Sequence, residues 1–441
     1  MSRSAPGARE APIGPFGGRR ATETTDALVI GAGPAGLAAA IELKRLGIAS
    51  VAVIDREDQA GGIPRHSAHL GFGMRDMRRL LSGPRYAERY VALARGNGVD
   101  LRTSTTVTGW DGPTTVETTS PSGIARLAAR SVLLATGCRE RPRSARLVPG
   151  TRPAGVFTTG TLQQLVYLQG IRAGRRAVVV GAEHVSFSAV LTLAHGGAAT
   201  LAMVTEHACP QSFRLLEWIA ARRLRVPILT GSRLVEIRGG SRVEGVAIAN
   251  RTGGQLREIA CDTVVFTGDW VPDSELARRL GLEMDPGTRA PRVDLGLRTS
   301  MRGVFAAGNL VHAAETADVA ALGGRHAARS MHSFLTTGDW PPGEGVPLVA
   351  QPPLRWVSPN TVRLTRERIA HGELILRVAE VQSDVDLVVE QDGRTLWRQH
   401  RRTLLPNRTL RAAAAWLGDV DLGGGPIRLG LEAPARRGSS P

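Results

Sequence analysis

Lysine is almost absent from this chain of 441 residues: Lys44 is the only one, and arginine supplies the rest of the 56 basic residues. The formal net charge of +16 would suit an acidic partner or an anionic substrate. The arginines are nevertheless scattered in short pairs such as Arg19-Arg20, Arg78-Arg79, Arg222-Arg223 and Arg401-Arg402. That distribution reads as compositional skew on a solvated surface, not as the stripe a nucleic-acid binder presents. Aromatic residues are only 4% of the chain, which argues against stacking platforms for single strands. Cysteine is scarce too. Cys138, Cys209 and Cys261 stand far apart with no CxxC spacing, which excludes a disulfide framework, a zinc site or an iron–sulfur site of the chain's own and fits the reducing cytoplasm. No apolar run approaches the ~18–20 residues of a membrane span.

What is present is a glycine turn in a telling place. The apolar run Ala27-Leu-Val-Ile30 ends in Gly31-Ala-Gly33-Pro34-Ala35-Gly36, and a helical pattern follows from Leu37 to Leu46. Gly31 allows the tight turn, Gly33 lets backbone approach a pyrophosphate, and Gly36 lets helix and strand pack closely. The free N–H groups and dipole of the helix then favour the phosphate charge. A second apolar run, Ser50-Val-Ala-Val-Ile54, ends in Asp55, placed to accept hydrogen bonds from a ribose. Strand, helix, second strand and acid in register point to a dinucleotide site.

The pattern then repeats at domain scale. Ala177–Val180 reads as a strand, Ser186–His195 as a helix and Thr200–Thr205 as a second strand ending at Glu206, about 150 residues after the first unit. Between the units, Arg75–Asn97 reads as a helix, Val99–Trp110 and Thr114–Thr119 as strands, and Ser131–Ala135 as a buried strand ending in Thr136-Gly137. Further strands fit 233–238, 243–249 and 262–267, and Val293–Leu295 fits a short one. Gly303–Asn309 is strand then turn, and Ala317–Phe334 is helix. After a Pro- and Gly-rich stretch the period becomes two, in Thr361–Arg366, Glu373–Val378 and Asp384–Val389, with Asp392-Gly393 as a hairpin turn. The expected fold class is α/β: two Rossmann-like three-layer (ββα) dinucleotide-binding domains plus a small C-terminal all-β domain. The expected organisation is a disordered tail at 1–25, a discontinuous first domain at 26–145 and 285–335, a second at 146–284, a linker at 336–349 and a β domain at 350–441.

Across residues 26–334 this arrangement resembles the two-dinucleotide-binding-domain FAD flavoproteins, the fold of the pyridine nucleotide–disulfide oxidoreductases. The resemblance rests on the first glycine turn with Asp55, on Val132-Leu-Leu-Ala-Thr136-Gly137, and on Thr299-Ser300-Met301-Arg302-Gly303-Val-Phe-Ala-Ala-Gly308-Asn309. In the last motif the family usually has Asp where this chain has Asn309. The resemblance implies FAD, contacted by Gly31, Gly33, Pro34, Ala35, Gly36, Asp55, Arg56, Gly61, Gly62, Ile63, Arg65, Val107, Ala135, Thr136, Gly137, Gly308 and Asn309. No cysteine pair follows the loop Gly61-Gly-Ile-Pro-Arg-His66, so an internal redox dithiol is not expected. That loop, the return motif and Glu315-Thr-Ala-Asp318 are similar to a cysteine-free branch that includes the FAD subunits of opine oxidase, hydrogen cyanide synthase and amine dehydrogenases. Membership there implies a partner dehydrogenase or electron-acceptor subunit.

In the family the second unit takes NAD(P)H. Here its turn reads Gly181-Ala-Glu183-His-Val-Ser186, with only the first glycine kept and a carboxylate where a pyrophosphate would approach. Glu206, with no arginine adjacent in sequence, would favour NADH over NADPH. Nucleotide binding and a vestigial domain both stay open. His66 is the first candidate for proton handling, with His69, Arg65 and His312 as neighbours. The helix from Ala317 is expected to aim its positive end at the flavin and stabilise its reduced, anionic form. No metal site is expected. The leading expectation is a two-electron FAD oxidoreductase acting between NAD(P)H or a small organic substrate of amine or opine type and an acceptor or partner subunit. The alternative is a non-catalytic FAD-binding scaffold with a decayed second site.

Overall fold

Residues 27–30 have no polar side chain to show to water, and they form the centre of a parallel sheet buried on both faces. In the computed structural model, which describes residues 22–434 apart from 214–217, 219–221, 223, 252 and 254–255, the strand Glu23–Ile30 pairs in parallel with Val51–Ile54 on one side and with the long strand Gly123–Leu134 on the other. Asp100–Arg102 extends one edge, and Val304–Ala306 returns to pair with Val132–Leu134. The far half of Gly123–Leu134 turns into an antiparallel meander with Thr115–Ser120 and Thr106–Trp110. The start of the strand Glu23–Ile30 lies in the expected tail: Glu23–Thr25 pair with Leu127–Ala129, because two threonines suit an extended, half-buried edge. Residues 1–21 of that tail lie outside the described residues.

Helix α1, Pro34–Arg45, starts with proline in its first turn, is rich in alanine and ends on Lys44 and Arg45, all favourable to a helix in that direction. Helix α2 spans Gly83–Gly96, eight residues short of the expected start at Arg75. Pro84 marks its first turn, and upstream Gly73 and Arg78 adopt φ of +81° and +52°, which no helix contains. The excluded stretch is a turn held by Asp76, whose carboxylate accepts the phenols of Tyr86 and Tyr90 at 2.7 and 2.6 Å. Leu80, in this excluded stretch, is 60% exposed. Val99–Trp110 is two strands, broken where Ser104 takes φ +48°.

The second unit repeats the plan. Val156–Thr158, Thr263–Phe266, Arg176–Val180, Ala199–Val204 and Ile228–Leu229 form a parallel sheet in that order, with helix α3, His184–His195, on one face. The antiparallel strands Ser232–Gly239, Val243–Asn250 and Arg257–Ala260 form its meander. The chain crosses between the two units along one antiparallel pair, Cys138–Glu140 against Trp270–Pro272, with Cys138 opposite Pro272 and Glu140 opposite Trp270. Val293–Leu295 makes only an isolated bridge, from Asp294 to Thr361. Helix α4, Ala317–Thr337, packs so closely on α1 that a Cβ on Gly324 would stand 2.0 Å from the Ala35 carbonyl oxygen.

The irregular Pro/Gly stretch narrows to 338–345, since α4 runs to Thr337 and a strand begins at Val346. Beyond it, Thr361–Val362, Val346–Ala350, Ile427–Glu432, Gln382–Gln391 and Arg394–Leu404 form one sheet, and Leu354–Ser358, Glu373–Val378 and Leu410–Ala413 another. Asp392 and Gly393 both have positive φ, as a two-residue hairpin turn of this twist requires. Thr361–Arg366 keeps only its first two residues as strand. No helix among the described residues is long and apolar enough to cross a membrane.

Candidate functional site

Two copies of one turn lie 150 positions apart, and they differ in what fills them. In the first, Gly31 N donates to Ile54 O and Gly61 N to Ala32 O, both at 2.8 Å. In the second, Gly181 N donates to Val204 O at 2.8 Å and Gln211 N to Ala182 O at 3.0 Å. Gly33, at the N-cap of α1, therefore corresponds to Glu183, at the N-cap of α3.

Beside Gly33 the space is open: a Cβ built there meets no atom within 4 Å. Gly36 is the opposite case, since its Cβ would stand 1.9 Å from Gly31 O. Gly62 lies over the same turn, its Cβ position 2.9 Å from Gly33 Cα. No side chain caps α1, so its first N–H groups are left for an anion. Asp55 is braced by Ala32 N at 2.6 Å on one oxygen and Glu57 N at 2.9 Å on the other, which holds the carboxylate at the rim of the turn. Ala135 N donates to Ile30 O, and Thr136 Oγ1 donates to Asp273 O at 2.7 Å, setting Thr136-Gly137 beside the turn; Gly137 also has open space on its Cβ side. Gly308 packs on Ala35, 2.6 Å from its Cβ position to the Ala35 methyl. An open glycine N-cap, a braced acid and small residues on three converging elements fit the adenosine, pyrophosphate and flavin ends of FAD. Val107 sits farther out, half-buried on the meander.

The second turn does not fit a dinucleotide. Glu183 and Ser186 form a capping box, with Glu183 N donating to Ser186 Oγ at 3.2 Å. The Glu183 carboxylate is buried between Gly181 and Gly268, each of whose Cβ positions lies 2.8 Å from one of its oxygens. Segment 207–213 closes over the turn: Glu183 bridges to Gln211, Ser212 Oγ lies 3.3 Å from His184 Nδ1, and Gln211 and Ser212 are buried. Arg146 supports the same turn from below, donating to Thr267 O and Gly268 O. The ribose end remains a cleft of about 460 Å³ lined by Glu206, Arg233 and Arg251. Those arginines remove the basis for preferring NADH. They are distant in sequence and arrive because the meander folds against the end of Ala199–Val204.

The catalytic candidates fare differently from one another. His66 is 3% exposed, and burial pushes its imidazole down to about 4, so it is neutral near pH 7. It faces Gln163, which ties the units together by accepting from Ser67 Oγ at 3.3 Å and donating to Ser188 Oγ at 2.8 Å. Sequence reasoning misses Gln163, since only the tertiary fold brings residue 163 to residue 66. Arg65 turns back on its own loop, to Gln59 O and toward Asp58. Arg56 pairs with Asp273 at 3.5 Å. His69 leans on Phe72 and Leu70 O, and His312 is buried beside Glu315. Asn309 spends its amide on the Glu315 main chain, accepting from N at 2.8 Å and donating to O at 3.0 Å. The N-terminal end of α4, expected to aim its positive end at the flavin, carries a buried acid of its own: Asp318 accepts from Val319 N at 3.0 Å and Arg75 N at 3.3 Å. Cys138 is raised well above the usual thiol range, by burial first and then by Glu140 and Asp273; the three cysteines are free.

Comparison with known proteins agrees with this architecture. The family model described as "Pyridine nucleotide-disulphide oxidoreductase" matches residues 25–324. An opine oxidase subunit of Agrobacterium tumefaciens (strain Ach5) is 29% identical over 325 residues, 64% of this chain and 61% of that protein. The opine oxidase subunit of the same kind from Rhizobium meliloti (strain 1021) is 28% identical over 70% of this chain and 71% of its own length. The chain thus spans somewhat less than two thirds of the first of these relatives. Among solved structures, thioredoxin reductase of T. acidophilum superposes with a TM-score of 0.60 at 23% identity, over 70% of this chain and 98% of that one, a likeness of fold.

Proposed function

The chain belongs to the pyridine nucleotide-disulphide oxidoreductase family, and from that premise we propose that it is an FAD-dependent oxidoreductase supplied with electrons by a small organic substrate of amine or opine type and relieved of them by an acceptor or partner subunit. The observation that carries this reading is the contrast between Gly33, open at its helix N-terminus, and Glu183, which fills the equivalent place. One site can accept a pyrophosphate and the other is occupied by the chain's own carboxylate. FAD, when bound, supplies two-electron chemistry. The α1 N-terminus holds its phosphates, Asp55 its ribose, and neutral His66 and Gln163 fix the loop beside it. The likeness to opine oxidase subunits supports the substrate class and the partner, and three free thiols suit the cytoplasm and a flavin that works without a redox disulfide.

The test is an anaerobic titration of the purified yellow protein. Bleaching by amines or opines, with none by NADH or NADPH, is the expected result. A colourless protein that FAD cannot reconstitute overturns the cofactor; bleaching by NADH at micromolar concentrations overturns the electron source.

A further inference from the structure

Largely buried ion pairs join the C-terminal β sheets to the flavin-side elements at two places: Arg298 with Glu367 at 2.6 Å, and Arg377 with Glu315. Arg377, on Glu373–Val378, donates to Glu315 Oε1 at 2.5 Å and to Ala314 O at 2.8 Å. The two side chains are 8% and 3% exposed. Thr409 Oγ1 donates to the same carboxylate oxygen at 2.5 Å, and Arg411 stands 3.8 Å from the other. The Arg377 guanidinium also lies 5.2 Å from the Trp356 ring, and Trp356 and Ile375 pack on Val319 in the first turn of α4. Glu315 is lowered from its ordinary value: burial opposes ionisation, and Arg377 and His312, with the Thr409 hydrogen bond, outweigh it. The Glu315 main chain is the segment that Asn309 grips at both N and O.

We propose that Arg377 is a positioning residue for the cofactor site: by holding Glu315 it fixes Asn309 and the start of α4, so that the β domain sets the geometry of the FAD return motif. This rests on the reading that Gly308-Asn309 and the α4 N-terminus face FAD. A buried charge with its partner removed costs far more than a broken surface pair, so loss of either partner should disturb the loop that carries Glu315.

The experiment compares full-length wild type, Arg377→Met, Arg377→Lys, Glu315→Gln and the double variant, with Leu387→Ala as a control that loosens the β core away from Glu315. Apo-protein is titrated with FAD, and the flavin midpoint potential and Tm are recorded. The expected result is that Arg377→Met and Glu315→Gln each weaken FAD binding about tenfold, as couplings between contacting residues do. The double variant should lose no more than either single variant, Arg377→Lys should recover part of the loss, and the potential should shift. Leu387→Ala should lower Tm with unchanged FAD affinity and potential. Wild-type affinity and potential in Arg377→Met, or an equal loss in Leu387→Ala, overturns the inference. Failure of wild type itself to bind FAD instead overturns the cofactor reading on which it rests.

Discussion

Glu183 and Ser186 cap each other at the start of α3, with the Glu183 N–H donating to the Ser186 hydroxyl at 3.2 Å and the carboxylate turned back over the Ser186 main chain. Ser186 Oγ is in turn 2.7 Å from Thr267 Oγ1. Opening this turn to a pyrophosphate means expelling a carboxylate that already serves the helix end. Wild type should show no saturable NADH or NADPH binding by nucleotide fluorescence up to millimolar concentration. Glu183→Gly should lose only about a few tenths of a kcal/mol of stability with the cap and gain measurable binding; saturable micromolar binding by wild type contradicts this account.

Gly33 and Gly36 should separate folding from cofactor binding. Ala at Gly36 collides with backbone at 1.9 Å and should cost about 3 kcal/mol by overpacking. Ala at Gly33 meets nothing and should change apo-protein stability by less than about 1 kcal/mol, while weakening FAD at least about tenfold, or about 1.4 kcal/mol. Urea melts of apo-protein and FAD titration read the two effects separately. Unchanged FAD affinity in Gly33→Ala would remove the pyrophosphate from this turn.

His66 should make stability depend on pH. Its folded value is about 4 against 6.5 for the free side chain. Between those values the unfolded chain binds the extra proton, so the contribution is complete above about pH 6.5 and shrinks as pH falls toward 4, by about 3 kcal/mol in all. Urea midpoints at pH 7 and pH 5 measure it. His66→Asn should flatten the slope over that window, and a slope identical to wild type would show that His66 is not its source.

The Cys138 and Cys261 thiols should be poor nucleophiles. Burial raises Cys138 above the usual range and pushes Cys261 up to about 11, so neither is a thiolate at neutral pH. In native protein at pH 8 both should react with a disulfide reagent far more slowly than in urea, and Cys138→Ala should leave flavin reduction unchanged. Rapid labelling of Cys138 in the native state would contradict this.

Much of the plan was legible because it lies in local pattern. Ala27–Ile30 is apolar on both faces, the turn glycines stand at fixed spacing, and Asp392-Gly393 suits only a tight hairpin. Glu183 as an obstruction was legible too, from residue type alone. What stayed hidden depends on chain reversal. Arg75–Asn97 has a helical period throughout, yet Gly73, Arg78 and Pro84 place the start at Gly83, and the phenols that capture Asp76 are unknowable before α2 forms. Gln163 beside His66, Arg233 and Arg251 beside Glu206, and Arg377 on Glu315 are pairs far apart in the chain, and no periodicity signals a partner at such separation. His66 also illustrates a limit of residue type: imidazole suggests proton chemistry, whereas its burial decides its charge.

Glu140 and Trp270 stand opposite each other across an antiparallel ladder, and Arg141 N donates to Asp269 O just beyond them at 3.1 Å. The chain from 141 to 269 therefore departs and returns through a neck whose two sides are neighbours, while Gln163 inside that span touches the loop at His66 and Ser67. A two-residue turn is enough to close such a ladder, so the intervening cassette can be replaced by one splice without breaking a strand of the sheet that carries Gly33, at the loss of Gln163 from the loop at His66. A module joined in that way is free to lose its own ligand while its host keeps working.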